Sequence, residues 1–142
     1  MCLEVSIELE GASRETASDL ARAAKEEGQL HLRLNGSRLA LRKGPTVLSL
    51  SEDGGCGCSL LADDADWDED RWSMRPEVLP RMATTVVSLG EASGGGLTFR
   101  ALWGGDSVKE TLEVELGELA EIIRSGTIGT KVAYRVGPRI AT

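Results

Sequence analysis

The residues of this chain best suited to do chemistry are two thiols one position apart, in the stretch Cys56-Gly57-Cys58. Six acids follow within positions 63–70, interleaved and trailed by Trp67 and Trp72. Thiolates bind soft metals, and a structural zinc needs four N, S or O ligands at about 2.0–2.3 Å. On a strand, residues i and i+2 share a face, so both sulfurs would approach one ion from the same side. The remaining ligands would have to come from Cys2, His31 or the acids beyond Asp63. Hydrophobic patterning puts Cys2 and His31 on the wet faces of their strands and points Cys56 and Cys58 toward leucines. The set does not converge, and free cysteine commonly packs as a small hydrophobe. Core packing is therefore expected, with a thiol or metal role for Cys56 and Cys58 as the alternative, and no cofactor is expected.

The acids Asp64, Asp66, Asp68 and Asp70 alternate as the oxygen ligands of a calcium loop do. An EF-hand also needs Gly at position 6 and Glu at position 12. Counting from Asp64 gives Glu69 and Arg75 at those places, and the match fails. Residues 62–75 read instead as an acidic connecting loop with Trp67 and Trp72 anchoring it to the body. Exposed Trp and Arg dominate binding hot spots, which makes Trp67, Arg71, Trp72 and Arg75 the candidate partner- or ligand-binding residues. A pocket between them and a sheet would suit a small ligand or substrate.

His31 is the one histidine, and a strand position beside Arg33 marks it as a surface residue rather than a general base. No serine sits in a nucleophile elbow, and no glycine pattern opens a helix as a phosphate loop does. No catalytic residues are assigned, and an enzyme is not the expectation.

The elements that would carry these residues are legible in the apolar periods. A chain of 142 residues, 41% hydrophobic and 27% charged, suits one globular domain over 1–142. The net charge of −7 argues against nucleic acid and against an anionic membrane surface, because both are bound by Lys and Arg. No apolar run approaches the roughly 18 residues of a membrane span. The first ten residues lack the pattern of a signal peptide. With three cysteines, two of them too close for an unstrained bridge, the expected setting is a reducing cytoplasm. Arg in excess of Lys, with abundant Ala and Gly, suggests a bacterial origin.

Leu3, Val5, Ile7 and Leu9 alternate with polar residues, predicting a half-buried strand. Ala17, Leu20, Ala21 and Ala24 make the stripe of a helix, with Thr16–Asp19 or Ser13 as its cap and Gly28 at its end. "LHLRLNGSRLALR" predicts a hairpin about Asn35-Gly36. A strand at 46–51 is expected to turn at 53–56 into another, with Leu50 facing Cys58 and Leu48 facing Leu60. Pro76 opens a helix lined by Leu79, Met82, Val86 and Leu89, though Pro80 and the Thr84–Val87 run weigh against it. "LTFRALW" and "VKETLEVEL" form a hairpin pairing Trp103 with Val108 and Phe99 with Leu112, leaving Glu110 as the misfit. A helix over Leu116, Leu119, Ile122 and Ile123 ends at Gly126, and "TKVAYRV" closes as a strand.

The order β-α-β-β-β-β-α-β-β-α-β predicts an α+β fold, a mostly antiparallel sheet with about three helices packed on it. The function expected of such an object is non-enzymatic: binding a protein partner or its own copy. An inhibitor or immunity-type protein for a basic partner is one form of it.

Overall fold

The computed structural model describes residues 3–10, 14–27, 30–34, 46–52, 57–61, 74–94, 96–103, 106–129 and 131–137. In chain order the elements are β1 (Leu3–Leu9), α1 (Arg14–Glu26), β2 (His31–Leu34), β3 (Thr46–Ser51), a 3₁₀ turn (Gly57–Leu60), α2 (Val78–Ser93), β4 (Leu97–Trp103), β5 (Glu110–Glu113), α3 (Leu116–Ser125) and β6 (Val132–Val136). The six strands form one sheet in the order β2-β3-β1-β4-β6-β5. All neighbours are antiparallel except β5 and β6, which run parallel. The α+β class and the three helices are as the periodicities predict.

Alternation decides which face is buried. Leu3, Val5, Ile7 and Leu9 of β1 lie within 1% of full burial, as do Leu97, Phe99 and Ala101 of β4. Glu4, Glu8, Arg33 and Arg100 stand on the other side and keep access to water. The helices cover the apolar side: Ala17 and Ala24, Met82, Val86 and Leu89, and Leu119 and Ile123 all join one buried cluster with the strands. The alanines of α1 remove side-chain bulk, which lets that helix approach the sheet closely.

α1 begins at Arg14, so Thr16 and Asp19 lie inside it rather than at a capping box. Ser13, the other cap considered, directly precedes that start but lies outside the described residues, as does Gly28. α2 carries Pro80 without penalty because the proline falls in the first turn, where backbone N–H groups have no intrahelical partner. The threonines that weigh against this helix are satisfied within it. Thr85, fully buried, donates its hydroxyl to the Arg81 carbonyl at 2.8 Å, and Thr84 donates to Pro80 at 3.0 Å. Gly94 and Gly126 close α2 and α3 in left-handed conformation, φ 66° and 72°.

Three strand expectations meet the structure differently. The partner of β2 predicted around 38–42 lies outside the described residues; β2 pairs with β3, Leu32 opposite Leu50. The strand predicted after 53–56 is a 3₁₀ turn, and Leu50 does not face Cys58. β3 already has β2 on one side and β1 on the other, so it offers no edge to a further strand. Gly57 instead rests on the main chain of β1, where an added Cβ would lie 2.5 Å from the Leu3 carbonyl oxygen. The second correction concerns β4 and β5, which do not pair. β6 lies between them, with Phe99 opposite Tyr134 and Tyr134 opposite Leu112. All four residues of β5 are exposed.

Candidate functional site

Of the four residues singled out in the acidic segment, Trp67, Arg71 and Trp72 lie outside the described residues, and Arg75 is placed. Leu61 and Met74 form an isolated antiparallel bridge, which brings the two flanks of residues 62–73 together. The Arg75 amide donates to the Leu60 carbonyl at 2.9 Å, and the Arg75 carbonyl accepts from Val78 N–H at 2.9 Å. Its guanidinium lies 3.3 Å from Glu52 and 3.8 Å from Glu77. Glu52 also receives Arg81 at 2.6 Å, and its own amide donates to the Ser59 hydroxyl at 3.0 Å. Two arginines and two glutamates thus balance in charge. The network clamps the end of β3 and the 3₁₀ turn to the start of α2.

Cys58 is half-buried, with its Sγ accepting the Leu3 amide at 3.2 Å. The strand geometry that would aim two thiols at one ion does not hold, because Cys58 stands in a 3₁₀ turn; Cys56 lies outside the described residues. His31 is half-buried, on the face of β2 opposite Leu32 and across from the buried Ser51 in the β2–β3 pair. Among the described residues, no three His, Cys, Asp or Glu side chains converge as metal ligands do. No helix there is long and apolar enough to cross a membrane.

A different grouping forms at the β5 end of the sheet. Lys131, in left-handed conformation at φ 59°, turns its carbonyl to accept from Lys109 N–H at 2.8 Å and Glu110 N–H at 3.3 Å. That sets the start of the parallel pair, and α3 then makes the crossover from β5 to β6. Where β5 runs into α3, Glu113, Val114, Glu115, Glu118, Arg135 and Gly137 line an open depression of about 290 Å³. Arg135 spans from Glu10 at 3.5 Å to Glu113 at 3.2 Å. Glu113, Glu115 and Glu118 are all exposed. The three carboxylates around this hollow outnumber its one guanidinium, which is already divided between two of the protein's own acids. Glu118 also favours the first turn of α3 through the helix dipole, worth roughly 0.3–1 kcal/mol. Glu115, at the N-cap, lies at the same positive end without a side-chain cap bond, and Glu113 is tied to Arg135.

Such an arrangement favours cationic groups. Sequence reasoning missed it because "VKETLEVEL" reads as a strand paired with "LTFRALW", its glutamates facing solvent as on any half-buried strand. The signal was present in the misfit Glu110 and in the recurrence of Glu at 110, 113, 115, 118 and 121.

Comparison with protein-family models, with curated proteins and with solved structures gives no match.

Proposed function

We propose that this is a non-catalytic binding domain that recognises a basic protein partner, acting as an inhibitor or immunity-type protein would. The observation that carries the reading is the exposed, carboxylate-lined hollow where β5 meets α3, on a chain of net charge −7. Carboxylates held in solvent on rigid elements steer a cationic partner and raise its association rate, an effect that salt screens over about 8–10 Å. The same charges repel a second copy of the chain, which favours a foreign partner over self-association. The unbridged thiol of Cys58 fits a meeting in a reducing cytoplasm.

The test is affinity purification with the native chain as bait at low and high salt, beside a Glu113→Lys, Glu118→Lys double variant. The expected result is a basic protein retained at low salt, released at high salt and absent from the variant eluate. A partner held equally at both salt concentrations and by the variant refutes the reading.

A further inference from the structure

We propose that the outer edge of β5 accepts an extended basic segment of the partner as an added strand. The proposal rests on the basic-partner reading above and deepens it.

The hydrogen bonds of β5 fix which groups are free for this. Glu110 N–H bonds to the Lys131 carbonyl and Val114 N–H to the Arg135 carbonyl. In a parallel ladder, alternate residues serve the same neighbour, so 110, 112 and 114 face β6. Thr111 and Glu113 therefore turn their N–H and C=O away from the sheet. Among the described residues no strand lies beyond β5. The edge also carries Leu112, a large apolar side chain 38% exposed.

Charge then selects the occupant. Short, charged edge strands normally discourage edge-to-edge pairing. Here that discouragement has a sign: a second β5 would set glutamates against glutamates, whereas a strand bearing Lys or Arg meets opposite charge. The hollow at the end of β5 supports the same choice. Its volume of about 290 Å³ falls at the bottom of the roughly 300–1,000 Å³ span of small-molecule pockets. It suits a long side chain from a docked strand better than a whole cofactor. Main-chain pairing along Thr111–Glu113 would supply affinity, and a cationic side chain in the hollow would supply specificity, the division of labour seen in strand addition.

The test uses the full chain labelled with ¹⁵N and titrated with acetyl-Lys-Val-Lys-Val-Lys-Val-amide at millimolar concentration. The comparison probes are its Glu-Val counterpart and a fully N-methylated version that keeps the charge and loses every N–H. The Lys-Val peptide is expected to shift the Thr111–Val114 amides and to slow solvent exchange at Thr111 and Glu113 selectively, while the other two peptides do not bind. Thr111→Pro removes an outward donor without touching the ladder to β6, since edge strands tolerate proline on the solvent side. It should weaken binding about five-fold, the worth of one hydrogen bond. Equal binding of the N-methylated peptide, or of the Glu-Val peptide, overturns strand addition. A Lys-Val peptide that ignores Thr111→Pro but is lost in Glu113→Lys, Glu118→Lys also overturns it while leaving the acidic-surface reading intact. Absence of binding by the Lys-Val peptide overturns strand addition too, and the salt-dependent purification decides the broader reading separately.

Discussion

Replacing Gly57 by alanine tests the contact that most clearly separates this fold from the hairpin its sequence suggests. The added Cβ would lie 2.5 Å from Leu3 O, 3.3 Å from Leu3 C and 3.4 Å from Val5 N. These are main-chain atoms of a strand paired on to β4, so they cannot swing aside as the end of a side chain would. Overpacking of this kind costs about 1–3 kcal/mol, and a rigid neighbour argues for the upper part of that range. Alanine also lowers the entropy of the unfolded chain, returning about 0.4–1 kcal/mol. The net loss should be about 2 kcal/mol. At roughly 2.1 cal/mol/K per residue the unfolding entropy is near 0.3 kcal/mol/K, so Tm falls by about 7 °C. Urea unfolding followed by circular dichroism, with calorimetry for Tm, measures both. Gly117→Ala is the control, because nothing lies within 4 Å of its added Cβ, and it should match the parent or exceed it by up to about 1 kcal/mol. A Gly57→Ala protein within about 0.5 kcal/mol of the parent refutes the placement of the 3₁₀ turn on β1.

Two further predictions concern packing and charge. At Gly90 a Cβ would meet Leu116 Cδ1 and Cδ2 at 2.8 and 2.9 Å, atoms that can rotate away, while the helix gains about 1 kcal/mol from alanine. Gly90→Ala should therefore unfold in urea within about 0.5 kcal/mol of the parent, and Gly90→Val, with more bulk, should lose about 1–3 kcal/mol. Glu52→Gln leaves Arg75 and Arg81 facing one another without the carboxylate they share. The expected loss is about 1 kcal/mol in dilute buffer, shrinking as salt is added, and a salt-independent deficit would show that packing, not charge, is at stake.

The fold class was legible because helices and strands with one buried face write their period into the chain. β1, β4 and the stripes of α1, α2 and α3 all follow from it. Pairing partners were less so, since alternation tells which face is buried and not which strand lies alongside. The segments either side of the loop 104–107 read as a hairpin, yet β4 and β5 are separated by β6. The misfit of Glu110 was the correct warning: a strand with every residue exposed has no buried face to alternate. Gly57, a weak strand former, likewise marked the stretch that becomes a 3₁₀ turn. As for the candidate site, the sequence drew attention to Arg75, whose guanidinium is spent on Glu52 and Glu77. It hid the β5 corner, because that grouping depends on Glu10 after β1, Glu113 of β5 and Arg135 of β6, which are far apart in sequence.

The central place of β1 has a consequence for how the protein is made. Its two flanking strands are β3 and β4, and its register with β4 joins Leu9 to Leu97, 88 positions along the chain. At about 5–20 residues per second, a ribosome needs roughly 4–20 s to supply that partner. For that interval β1 holds one edge open beside apolar residues, the state in which nascent strands find wrong companions. Glu4 and Glu8, on the face opposite those apolar residues, place like charge along the waiting strand, the pattern that discourages wrong pairing.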